Sequence, residues 1–348
     1  MNASEASEPH RRRPRYKGKN PRRFEDKYKE HDSASHPETV AKVRAGGKTP
    51  AGQHVPIMVP EIMEVLAPVA GERVVDCTLG YGGHATVLLR AVQPGGCLLG
   101  LDHDPMEIVK TEARMRALDF PADSLLVRRT NFAGLRHVLA EVGWTEGADV
   151  ILADLGVSSM QIDNPARGFS FKHEGPLDMR MNPRKGEPAS ALIHKLNEEQ
   201  LATVFAENAD EPRATLLAKA LARRSFTTTT ALAHAVRQSL PQALPEEQKR
   251  DTLQRLFQAL RIAVNDEFAV LETWLHSLPD VLKPGGRVAV LTFHSGEDRR
   301  VKKALQAGLL AGVYSEISDE VIRPSSDELR DNPRAAPAKL RWAVRRET

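Results

Sequence analysis

The stretch VVDCTLGYGGHAT, Val74 to Thr86, decides the fold. Apolar Val74 and Val75 lead into an acid, Asp76. Gly80, Gly82 and Gly83 then form a glycine-rich turn, and His84-Ala85-Thr86 can open a helix. Strand, turn and helix in that order make the nucleotide-binding unit of open α/β sheets, where missing side chains let a ligand approach the backbone and the helix N-terminus. Gly80-x-Gly82-x-x-Ala85 satisfies the glycine fingerprint, and Asp102 follows about 20 residues on, where a strand-end carboxylate can take ribose hydroxyls. The turn alone does not choose between NAD and S-adenosyl-L-methionine. Asp76 favours the second, because it can meet a cationic amino-acid end and would repel a pyrophosphate. His84 occupies a helix start that a dinucleotide phosphate needs clear, and Asp154 brings another acid to a strand end. Helix capping or loop hydrogen bonding is the plainer account of Asp76 or Asp154 taken singly.

Outward from this unit, strands and helices alternate. A helix over Met58–Val69 precedes strand one, Arg73–Cys77. Strand two, Cys97–Asp104, is entered by a Pro-Gly-Gly turn and followed by a helix from Pro105 to Leu118. Ser124–Phe132 reads as strand three, Leu135–Val142 as a helix, and Ala148–Gly156 as strand four, apolar on both faces like a central parallel strand. Asn131 and Phe132 close strand three where an adenine would lie, with core packing the alternative for Phe132.

Beyond Asp163 the pattern changes. Residues 165–188 are loop-like and dense in proline and glycine, and 189 to about 255 read as helices only, one of them capped by Thr229 or Thr230. A long helix from Thr252 to Leu278 returns the chain to the sheet. It is followed by a strand over Arg287–Phe293, a helix over Gly296–Ala307 and two last strands near Tyr314–Ile322 and Ala338–Val344. The division expected is therefore a basic arm at 1–50, an α/β domain from 51–164 and 252–348, and an all-helical insertion at 165–251.

Composition bounds the class. The chain has 348 residues and a formal net charge of +3. The arm holds 13 Lys or Arg against 7 Asp or Glu, so the rest of the chain is slightly acidic. With RRRPR at Arg11–Arg15 and no apolar pattern, the arm reads as disordered, either a solubility tail or a segment that touches RNA. It lacks the apolar run of a secretory signal, and no segment approaches the ~18 apolar residues of a membrane span. Two cysteines, Cys77 and Cys97, make no disulfide framework, which fits a reducing cytoplasm. Neither has a partner at metal-ligand spacing, and no metal site is expected.

DLGVSSMQID (Asp154–Asp163), RGFSFKHEGPLDMRM (Arg167–Met181), FQALRIAVNDE (Phe257–Glu267), LTFHSGEDRRVK (Leu291–Lys302) and NPRAAPAKLRWA (Asn332–Ala343) are unusual strings. With the GYGGH turn, and in this order from about His54 to Arg345, they resemble the bacterial ribosomal small-subunit RNA methyltransferase H family, also called MraW. The resemblance implies a class I S-adenosylmethionine-dependent methyltransferase: a Rossmann-like, mostly parallel seven-stranded sheet with a helical insertion that recognises substrate. It implies methylation of the exocyclic N4 amine of a decoding-region cytidine in 16S rRNA, within a small-subunit particle. It places Gly82, Gly83, His84, Asp102, Phe132, Asp154 and Gln161 at the cofactor. This chain departs from the family in its long arm and in Gly296, which stands where leucine is common.

A cytosine amine is a poor nucleophile, so a hydrogen-bond acceptor on its protons aids transfer. The chain lacks the Asn/Asp/Ser-Pro-Pro-aromatic string of many amino-methylating enzymes. Candidates to hold the base are the loop carbonyls after Asp154 with Ser158 or Ser159; Asp178 and His294 are candidate proton acceptors, His294 being at least equally readable as a structural histidine. Basic side chains such as Arg167, Lys172, Arg180, Arg223, Arg299 and Arg334 are candidates to grip phosphates, each also readable as a solvated face or ion pair. Two rival functions stand beside this one. An NAD-dependent oxidoreductase fits the turn but lacks a Tyr-x-x-x-Lys relay, and a non-catalytic RNA-binding assembly factor could retain the fold.

Overall fold

The computed structural model describes residues 56–347, so the basic arm at 1–50 lies outside the described residues. Seven strands form one sheet: β1 (Arg73–Asp76), β2 (Cys97–Asp102), β3 (Leu125–Arg129), β4 (Ala148–Asp154), β5 (Leu282–Thr292), β6 (Tyr314–Ile317) and β7 (Lys339–Arg345). Their order is β3-β2-β1-β4-β5-β7-β6. All neighbours are parallel except that β7 runs antiparallel between β5 and β6. This is the class I methyltransferase topology, a fold whose order reverses between β1 and β4 and so opens a crevice at their carboxyl ends.

The apolar runs fill both faces because adjacent residues point to opposite sides. Val75, Leu99, Ile151 and Val288 join one core, while Val74, Leu98, Val150 and Ala289 join the other. Helices α1 (Val59–Leu66), α2 (Gly83–Ala91) and α3 (Glu107–Arg116) cover the second face, and α4 (Leu135–Glu141) lies on the first. The short α5 (Ser159–Asp163) follows β4.

A third core belongs to the helical part: α6 (Ala189–Lys195), α7 (Glu198–Ala209), α8 (Ala214–Leu221), α9 (Thr229–Ser239) and α10 (Glu246–Asn265). It takes in Leu177 and Met179 from the preceding loop and Leu253, Leu256, Phe257 and Leu260 from α10. Leu253 to Leu260 of α10 thus pack with the insertion.

The expected helix from Thr252 to Leu278 is two helices. Asp266, at φ 53°, ends α10 and begins α11 (Glu267–Val281). The apolar spacing runs on across the joint and conceals it; a short polar residue is one of the few that adopts this left-handed conformation. The cap of α9 also differs from expectation. Thr228 Oγ1 accepts the Ala231 N–H, whereas buried Thr229 donates to the His173 carbonyl and accepts from Gly175. Thr229 is used to pin the 165–188 loop, leaving its neighbour to cap. The strand expected over Tyr314–Ile322 stops at Ile317, Ile322 making a single bridge to Leu340. Helix α12 (Ser295–Leu310) follows β5, and α13 (Ser326–Asp331) precedes β7.

The start and finish of the described chain meet. The Met58 N–H donates to Glu328 Oε1 of α13 at 2.8 Å, across 270 residues of sequence.

Candidate active site

A cavity of about 1190 Å³ opens at the carboxyl ends of β1, β2, β3 and β4. The turn after β1 reaches it because two glycines have different work. Gly82 lies at φ +83°, and a Cβ there would come within 3.0 Å of Met115 and Thr111 on α3. At Gly83 a Cβ would press on Pro56 at 3.1 Å. The turn is therefore held between α3 and the Pro56–Met58 segment, with its backbone exposed to the cavity.

Asp102 organises the turn. It accepts the Gly80 N–H at 2.8 Å and the Asp104 N–H at 2.9 Å, one on each oxygen. Burial pushes its carboxyl up to about 6, against those amides. Asp154 is raised further, to about 7, by burial and then by the charge of Glu297. Its backbone N–H is fixed by Thr78 Oγ1 at 2.7 Å. His84 faces it, with Nδ1 3.5 Å from Asp154 Oδ2 and Nε2 2.9 Å from the Ile57 carbonyl. A carbonyl only accepts, so Nε2 carries hydrogen and the neutral ring turns a bare nitrogen to Asp154. Burial lowers His84, which keeps the ring neutral and favours a protonated Asp154 opposite it.

Phe132 lines the cavity with one edge braced on buried Trp274, the rings 5.5 Å apart at 67°. Gln161 is 7% exposed and closes a capping box on Ser158 while donating to Asp104 at 2.9 Å. The structure therefore brings Gly83, His84, Asp102, Phe132, Asp154, Ser158 and Gln161 to one cavity. Gly82 supports the turn from beneath, and Ser159 is the first residue of α5. Asp76 is buried under the turn, with Oδ1 on the Thr78 N–H at 3.0 Å, and does not line the cavity.

Asp178 and His294 lie apart from that lining. Asp178 is gripped by Arg180 at 2.8 and 2.7 Å; burial would raise its carboxyl, but Arg180 holds it below its usual range, making it a weak proton acceptor. His294 caps α12 and sits 3.0 Å from Glu297. Of the basic candidates, Arg299 pairs with Asp210, Arg334 with Asp163, and Arg167 is buried against Asp104. Lys172 lines the cavity. Four residues missed in the sequence also shape the site: Ile57, Asp104, Phe268 and Glu297. Burial would raise Glu297, but His294 and Arg261 hold it ionised below its ordinary range. Only Asp104 left a signal, the third acid-or-histidine position of Asp102-His103-Asp104.

The donor set fits a cationic ligand. Carboxyls that burial has driven toward neutrality regain their charge beside a positive group, and a glycine turn and a half-buried aromatic lining the same cavity suit an adenosine. Fold and site together define a class I methyltransferase whose cofactor is S-adenosyl-L-methionine. The model of the MraW methylase family matches residues 51–346, and the chain belongs to that family. It is 48% identical over 347 residues to ribosomal RNA small subunit methyltransferase H 1 of Agathobacter rectalis, covering 97% of this chain and 98% of that one. It is 40% identical to ribosomal RNA small subunit methyltransferase H of Rubrobacter xylanophilus over 85% of this chain and 96% of that one. The first of these matches extends well into the first fifty residues. Among solved structures, an rRNA methylase from Streptococcus thermophilus aligns at a TM-score of 0.38 and 12% identity, covering 83% of this chain and 93% of that one.

Proposed function

We propose that this chain transfers a methyl group from S-adenosyl-L-methionine to the exocyclic N4 amine of a cytidine in the decoding region of 16S rRNA, within a small-subunit particle in the cytoplasm. The observation that carries the reading is the reach of the cavity. From the strand ends it extends to Ser170, Lys172 and His173 of the 165–188 loop and to Gln254 of α10, giving a nucleotide room beside the cofactor. The helical insertion is in this reading the substrate-recognition unit. Family relatives named as small-subunit rRNA methyltransferases support it.

Bound at the strand ends, the cofactor supplies an electrophilic methyl group. The protein's work is to orient the two reactants and to hold the amine through hydrogen bonds. Gly83 and His84 present the turn, Asp102 takes the ribose, Phe132 flanks the adenine, and Asp154 meets the amino-acid end. Leu155, Gly156 and Val157 line the cavity directly after Asp154, and their carbonyls are proposed to accept hydrogen bonds from the amine's N–H groups, localising its lone pair for in-line attack, with the proton shed on methylation passing to solvent. Ser158 spends its side chain on the Gln161 N–H, so its part is to fix that loop. Target bases leave their stack most readily in loosely paired RNA.

Small-subunit particles from cells lacking the protein provide the test. Incubated with purified protein and labelled S-adenosyl-L-methionine, they should gain one methyl group on N4 of a decoding-region cytidine, located by mass spectrometry. Label on another base, or none, defeats the assignment.

A further inference from the structure

We propose that Asp104 and Arg167 form a joint through which the cofactor pocket sets the substrate-side loop, both acting as positioning residues. The inference rests on the reading above, with cofactor at the strand ends and RNA on the insertion side. Asp104 is 1% exposed and donates its N–H to Asp102, the ribose candidate, at 2.9 Å. Its Oδ2 accepts from Gln161 at 2.9 Å and from Arg167 Nη1 at 2.7 Å. Arg167 is 7% exposed, and its other nitrogen donates to the carbonyls of Arg180 at 3.1 Å and Met181 at 2.8 Å. Its own carbonyl accepts the Met179 N–H at 3.1 Å, and Met179 is held at φ 64°.

Three segments distant in sequence thus meet on one buried carboxylate: the end of β2, the DLGVSS loop with α5, and the RGFSF–LDMRM loop. Between Arg167 and Met181 that loop is folded tightly on itself. A Cβ at Gly168 would come within 2.2 Å of the Pro176 carbonyl, and one at Gly175 within 1.8 Å of that of Pro165. A loop this close-packed moves with its anchor. Whatever shifts Asp102 as ribose binds is passed through Asp104 to Arg167 and the Arg180–Met181 backbone. A guanidinium is required because it bonds the carboxylate and both carbonyls at once, which an ammonium on a flexible stem does not reproduce.

Hydrogen exchange on the full chain tests the joint, with S-adenosylhomocysteine as the probe. In the wild type, the probe should slow exchange of amides 177–182 at least fivefold. In Arg167→Lys that protection should vanish, probe affinity should fall about tenfold, and turnover at saturating substrates should fall at least tenfold. RNA affinity should keep its salt dependence, because no phosphate contact is lost. The inference is overturned if Arg167→Lys matches the wild type, or if it binds the probe normally while the slope of log affinity against log salt falls by about one, the mark of a phosphate contact. Should that variant not fold, Asp104→Asn carries the same expectations. Probe binding by the wild type without protection of 177–182 also overturns the joint, whereas no probe binding at all strikes instead at the proposed function.

Discussion

At the residue scale, the acids at the strand ends set opposing pH dependences. Asp102 near 6 and Asp154 near 7 stand above ordinary carboxyl values. In the ligand-free protein their neutral forms favour folding at low pH, and that contribution is lost as pH rises through about 6 to 7. Under the proposed reading, cofactor binding has the opposite sign, since it needs the anions. Affinity for S-adenosylhomocysteine should therefore rise about tenfold between pH ~6 and ~8, read by calorimetry, and Asp154→Asn should weaken and flatten that rise. Gly296 offers a packing test. A Cβ there would meet Phe268 Cζ at 2.6 Å, and the Phe268 ring is held by Arg300, 3.5 Å from its centroid. In this chain the ring fills the space that a side chain at position 296 would take. Gly296→Ala should lower stability by about 1–3 kcal/mol in a denaturant titration. Strand-end residues such as Asp102, Phe132 and Asp154 were legible because one motif and one alternation place them. Arg167 was not: a basic residue in a glycine- and proline-rich loop reads as exposed, and its partner lies 63 positions away.

At the element scale, the sheet was legible strand by strand, because parallel central strands are apolar on both faces and end where an acid or glycine begins. The junction of α10 and α11 was not, because helical spacing of apolar residues continues through a single residue of left-handed backbone. Asp266 is that residue. Asp266→Val should cost about 1–2 kcal/mol, while Asp266→Gly should be tolerated, both by thermal melting. The cap of α9 shows a similar limit. Three consecutive threonines follow Thr227, and only the tertiary contact of Thr229 with His173 and Gly175 decides which of them caps.

At the scale of the whole molecule, the basic surface open to a polyanion is reduced by ion pairing. Arg180, Arg299, Arg300 and Arg334 all have carboxylate partners. The cavity-lining Lys172, the exposed Arg223 and the 13 basic residues of the arm remain candidates for phosphate contact. Affinity for decoding-region RNA should fall at least tenfold between about 50 and about 200 mM salt, and removal of residues 1–50 should make that dependence shallower, by filter binding. The insertion was legible as a run of helices because strands cease after Asp154. That Leu253 to Leu260 of α10 join the core of those helices was not, since only packing shows which core a helix serves. The contact between Met58 and Glu328 has one more implication, for folding. The segment that presses on Gly83 is held by a carboxylate 270 residues away in sequence. A partner that far along the chain is reached only after the intervening sheet has formed, so this prop for the glycine turn belongs to the closing steps of folding.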